Sequence, residues 1–132
     1  MEVRMAGPRI FTSFAIEDSN LRTLFVGQSR NSSTPFEMTD YSVKSAWDTS
    51  WKINCRVRIR SCRGLIAIIT RNSPYADGQL WEISCARQES VPVLLMYGSA
   101  NDKGVRLPAP LSGLSVYDWT WPTIDRFIAQ VR

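Results

Sequence analysis

Three short runs rich in apolar and β-branched residues punctuate the chain: Arg9-Ile10-Phe11-Thr12-Ser13-Phe14-Ala15, Leu65-Ile66-Ala67-Ile68-Ile69-Thr70 and Val91-Pro92-Val93-Leu94-Leu95-Met96-Tyr97. Each has the length of a strand and is flanked by polar or turn-forming residues, which predicts buried strands. Two weaker candidates are Pro35-Phe36-Glu37-Met38 and the edge-strand segment Leu114-Ser115-Val116-Tyr117. Between these runs the apolar spacing changes to three and four. Leu21, Leu24, Phe25 and Val26 give a face to a helix that starts at the acidic Glu17-Asp18-Ser19. From about Tyr41 to Arg63, Trp47, Trp51, Cys55, Ile59 and Cys62 fall in one arc at about 100° per residue, which predicts a long helix. Gly64 ends it. A further helix carries Glu82 and runs to about Glu89, and Trp121 to Val131 predicts a closing helix with Pro122 in its first turn.

Strands alternating with helices at this rhythm predict an α/β domain, flavodoxin-like and doubly wound, with a five-stranded, mostly parallel sheet in the order 2-1-3-4-5. The switch point of that order lies between the first strand and the strand ending at Thr70, so Ser13-Phe14-Ala15 and the stretch from Thr70 to Glu82 are expected to face one crevice. The 132 residues suit a single domain over 1–132. Met1 to Pro8 lack the apolar stretch of a secretory signal, and no run has the length of a membrane span, so no membrane association and a cytoplasmic location are expected.

Composition narrows the chemistry. Histidine is absent, which excludes Ser-His and Cys-His nucleophiles and every histidine-containing metal site. Cys55, Cys62 and Cys85 are odd in number, lack C-x-x-C spacing and sit in apolar contexts, so reduced core residues are expected and no metal site. The excess of 16 Lys and Arg over 12 Asp and Glu permits binding of an anion such as a pyrophosphate without arguing for nucleic acid. Lys52, Arg56, Arg60 and Arg63 form a basic stripe on the long helix, read as a solvated face rather than a phosphate or acidic-partner surface. Arg58 falls inside the apolar arc near Trp47, where it either snorkels past that face or points into a polar site.

Neither phosphate-binding glycine motif occurs, which removes kinase, GTPase and dinucleotide-fold dehydrogenase readings. No aspartate closes the third strand and no lysine a later one, so a response-regulator receiver is not expected. Glu17, Asp18, Asp77 and Glu82 remain as acidic candidates. Glu17 and Asp18 are read as helix-capping residues. Glu82, just past the carboxyl end of a central strand, is weighed between catalysis and a solvent-exposed place on its helix.

The opening strand, Arg9 to Asp18, has the form F-x-S-x-x-x-E-D. Trp47 and Trp51 precede the strand ending Ile69-Thr70, Gly78-Gln79-Leu80-Trp81-Glu82-Ile83 contains W-E-I, and Pro92 leads the next apolar run. In these features the chain resembles the TIR-like domains, in particular the compact bacterial type that serves as a signalling enzyme in Thoeris-type antiphage defence. It departs where many members carry S-x-W shortly before the glutamate: here that stretch is Ala76-Asp77-Gly78, and Ser73 or Tyr75 takes over part of the role.

The resemblance implies an enzyme that cleaves the nicotinamide N-glycosidic bond of NAD, its substrate, and makes a cyclic or conjugated ADP-ribose-derived signal for a separate effector. It implies Glu82 as the catalytic residue and Ser13, Phe14, Ala15, Ser73, Tyr75, Trp81 and Trp47 as substrate-binding candidates. Phe14 and Trp81 are divided between core packing and stacking on a substrate ring; for Trp47 and Trp51 core packing leads. Self-association is a further expectation. The competing readings are a catalytically silent TIR-like interaction module and a nucleotide-binding receptor.

Overall fold

In a computed structural model, residues 8–31, 37–40 and 49–132 are described. The apolar runs form strands β1 (Arg9–Ser13), β3 (Gly64–Ile69) and β4 (Val93–Tyr97), with shorter strands β2 (Glu37–Asp40) and β5 (Val116–Asp118). The helices are α1 (Ser19–Asn31), α2 (Thr49–Arg60), α3 (Asp77–Gln88) and α4 (Trp121–Val131). One sheet carries the strands in the order β2-β1-β3-β4-β5, and every neighbouring pair is parallel. The expected α/β class with a parallel sheet is therefore what the chain forms, in the doubly wound order whose switch point lies between β1 and β3.

Side-chain parity divides the core. Phe11, Leu65, Ala67, Ile69 and Leu95 meet Trp51, Cys55 and Ile59 of α2 and Ile83 and Ala86 of α3. Ile10, Ile66, Ile68, Leu94 and Met96 meet Phe25 of α1 and Ile124, Phe127, Ile128 and Val131 of α4. Successive strand residues face opposite sides, which is why a strand buried on both faces, as β3 is along its whole length, has no polar position. At its first residue a Cβ on Gly64 would stand 2.8 Å from the Phe127 ring, so the glycine lets α4 seat against the sheet.

Two expectations change in detail. Tyr41 to Asp48 of the long helix lie outside the described residues, and α2 as described starts at Thr49. Trp51, Cys55, Ile59 and Cys62 are buried as the arc requires, and Arg58 is exposed. The basic stripe is not simply solvated. Arg56 donates to Glu89 at 2.6 Å and to Gln88 at 3.0 Å, Arg60 reaches Glu89 at 3.1 Å, and the Arg56 guanidinium lies 5.5 Å from the centre of the Trp81 ring. Arg56 and Arg60 thus clasp α2 to the end of α3, while Lys52 and Arg63 are exposed. Because the pairs are partly exposed, Glu89→Gln is expected to lower stability by only about 0.5–1 kcal/mol, read as an earlier urea midpoint with an unchanged slope.

Candidate functional site

Glu82 is the sixth residue of α3, on the face turned to the sheet, and is 5% exposed. The solvent-exposed alternative is thereby overturned: helix position alone left its orientation open, and the packing of α3 on β1 and β3 turns it inward. Ser13, the last residue of β1, shares parity with Phe11 and so points to the α3 side. Its Oγ donates to Glu82 Oε1 at 2.6 Å, a length typical of a hydroxyl bonded to a charged carboxylate. On the other side, Cys55 Sγ of α2 lies 3.8 Å from Glu82 Oε2 as a thiol donor. Gln79, one helical turn earlier, donates from Nε2 to the carbonyls of Ser13 at 3.1 Å and Ile68 at 2.8 Å. The Glu82 carboxylate of α3 is therefore held at the carboxyl edge of the sheet by groups from β1 and α2, with Gln79 bracing Ser13.

Burial pushes the Cys55 thiol up, and the adjacent Glu82 charge adds to the shift. Cys85 is also raised by burial. Both are protonated and poor nucleophiles at neutral pH. All three cysteines are buried thiols outside any disulfide, in keeping with the expected core residues. A folded-state pKa above the unfolded one means that the fold holds the proton more tightly. The stability this contributes is complete below about pH 8.5 and is lost as pH rises through and beyond it. The urea midpoint is expected to fall above that pH, and to fall less steeply in Cys55→Ala.

Of the substrate-binding candidates, the structure brings Ser13 to Glu82. Phe14 lies in the cluster on the α1 and α4 face, edge-on to Phe25 with centroids 6.1 Å apart, because adjacent strand-end residues take opposite sides. Ala15 is buried at the start of the 3-10 turn Ile16–Asp18. Ser73 is fully buried, and its Oγ accepts from the Thr70 amide at 2.9 Å, which braces the loop after β3. Tyr75 is 84% exposed. Trp81 packs on Trp51 with ring centroids 5.1 Å apart and lies under Arg56, on the α2–α3 seam. Trp47 lies outside the described residues.

Asp18, directly before α1, turns its carboxylate into the fold. It is buried and accepts from Thr70 Oγ1 at 2.6 Å and Asn72 Nδ2 at 2.8 Å. Asp102, also buried, accepts from the Arg71 amide at 3.1 Å and Ser99 Oγ at 2.9 Å. These two carboxylates fix the loop that leaves β3 toward α3. The expected single crevice is thus divided: Ser13 and Glu82 meet on the α3 side, whereas Thr70 turns to Asp18 on the α1 side. Residue type alone does not mark Cys55 and Gln79 as site residues, although the arc through Trp51 and Cys55 and the three-residue spacing of Gln79 and Glu82 put both on the relevant faces.

No protein-family model matches the chain, and no curated protein matches it.

Proposed function

We propose that the protein cleaves the nicotinamide N-glycosidic bond of NAD, with Glu82 as the catalytic carboxylate. The observation that carries this reading is the buried Glu82 carboxylate at the carboxyl edge of a doubly wound sheet, beside the β1/β3 switch point and held by Ser13. Ordinary glycoside hydrolysis needs a general acid beside a second carboxylate, because the leaving oxygen must be protonated. Nicotinamide in NAD is a cationic pyridinium. When the ribose C1′–N bond breaks, its electron pair moves to the ring nitrogen and nicotinamide departs neutral. Positive charge is left on the ribosyl carbon and ring oxygen, and a fixed carboxylate stabilises it. A water, or a nucleophile on the same or a second nucleotide, then takes the carbon with its lone pair, any proton it carries passing to solvent, giving free, cyclic or conjugated ADP-ribose. No histidine is required.

In this TIR-like reading the product serves as an antiphage signal to a separate effector, and self-association of the chain brings the pocket to its working form. Burial on its own also suits a second reading, a silent TIR-like module in which Glu82 is a polar core group. The two part at Ser13. In a catalytic site, Ser13→Ala removes the hydroxyl donor from Glu82 Oε1 and is expected to slow nicotinamide release about tenfold or more, the worth of one hydrogen bond to a charged group. Chromatography of NAD incubated with each protein reads the rate. Equal release by both proteins removes Ser13 from the machinery, and no release from either favours the silent module.

A further inference from the structure

We propose that Gln79 is the positioning residue of this site, setting the place of the Glu82 carboxylate through Ser13. The inference rests on Glu82 as the functional carboxylate and adds a residue on which its placement depends. Gln79 is 2% exposed and precedes Glu82 by one turn of α3, so both leave the same face of the helix. Its Nε2 group has two hydrogens and uses both: one bonds the carbonyl of Ser13, the other that of Ile68. The β1–β3 ladder reaches its last pair at Ser13 and Ala67, so the amide bridges the two strands where their pairing stops. Ser13, tethered by its carbonyl, turns its hydroxyl onto Glu82 Oε1 at 2.6 Å. The path is continuous: Gln79 fixes the Ser13 backbone, and Ser13 orients the carboxylate.

A second observation separates this role from ordinary packing. Gln79 Oε1 is buried without a hydrogen-bond partner among the described residues. A buried acceptor left unpaired costs stability, and an apolar side chain of similar volume would avoid that cost. What the amide alone supplies is two donors aimed at two carbonyls. Leucine and methionine have none, glutamate would turn acceptors onto acceptors, and lysine would bury a charge.

The test follows the Glu82 carboxyl directly by NMR titration of the full chain labelled with carboxyl-¹³C glutamate. Among the described residues, the titratable groups that act on it are the thiols of Cys55 on α2 and Cys85 on α3, both held protonated, with Arg58 of α2 acting on Cys55. Donation from Ser13 favours the charged carboxylate, so weakening it moves the titration to higher pH. Gln79→Met and Ser13→Ala are each expected to raise the Glu82 midpoint, Gln79→Met by no more than Ser13→Ala. The double variant should shift no further than Ser13→Ala, because both act on one path.

In the wild-type chain the Gln79 side-chain amide signals should follow the Glu82 titration and cease to do so in Ser13→Ala, a measurement that needs no Gln79 variant to fold. A wild-type midpoint in Gln79→Met, full additivity in the double variant, or Gln79 signals indifferent to Glu82 would overturn the proposal. A chain that gives these shifts yet never releases nicotinamide retains the positioning role and loses the NAD reading.

Discussion

Glu82→Gln is expected to lower nicotinamide release by about 10²–10³, the usual loss when one preorganised group facing transition-state charge is removed. That corresponds to roughly 2.7–4 kcal/mol of barrier. Glutamine has the size of glutamate and offers Ser13 Oγ an oxygen in place of Oε1, so the contact at 2.6 Å can persist as a neutral hydrogen bond. The expected change in folding stability is about 1 kcal/mol, the difference between a hydrogen bond to a charge and one to a neutral acceptor. Loss of rate therefore outruns loss of stability. Nicotinamide release compared with the urea midpoint of the same preparation checks both. A variant that loses stability and activity in proportion would make Glu82 a core residue and nothing more.

The largest effect on stability is expected at Phe25. Its side chain is fully buried on α1 and meets Phe14 edge-on, Trp119 at 5.5 Å and Trp121 at 6.2 Å between ring centroids. It joins the end of β1, the segment after β5 and the start of α4 on the face away from Glu82. Phe25→Ala removes the ring from the middle of this aromatic group, and the remaining rings are too large to collapse fully into the space. A loss of about 3–5 kcal/mol is expected, a large share of the 5–15 kcal/mol typical of a domain. Thermal unfolding should begin roughly 10–20 °C lower. A shift of a few degrees would mean that the cluster reorganises. Because Phe25 lies across the sheet from Glu82, the folded fraction should retain its nicotinamide release at low temperature.

The fold was legible where one periodicity ran without interruption. The closing helix matches its expected span from Trp121 to Val131, with Pro122 in the first turn and Thr120 Oγ1 accepting from the Thr123 amide. β3 and β4 were marked by apolar runs that only a sheet covered on both faces requires. The strand order followed from alternation and handedness.

The site was less legible. Glu82 could be located at the carboxyl edge of the sheet, but its burial depended on the rotation of α3 against β1 and β3, which no local pattern encodes. Phe14 and Ser13 are neighbours in sequence and part company in space through parity alone. Asp18 had the local signature of a helix start. Its buried bonds to Thr70 and Asn72 join residues more than fifty positions apart, and such pairings leave no mark in composition. The basic stripe on α2 was visible, but its partner Glu89 stands on another helix.

NAD labelled in the nicotinamide ring, incubated with the wild-type chain and with Glu82→Gln under identical conditions, tests the proposed chemistry most directly. Wild-type protein should convert the label to free nicotinamide, with the ADP-ribose portion recovered in one or more new nucleotides, while the variant leaves most of the label in NAD. Intact NAD with wild-type protein, tried both dilute and under crowding, or equal release by the two proteins, would contradict the assignment of Glu82 as the carboxylate that breaks this bond.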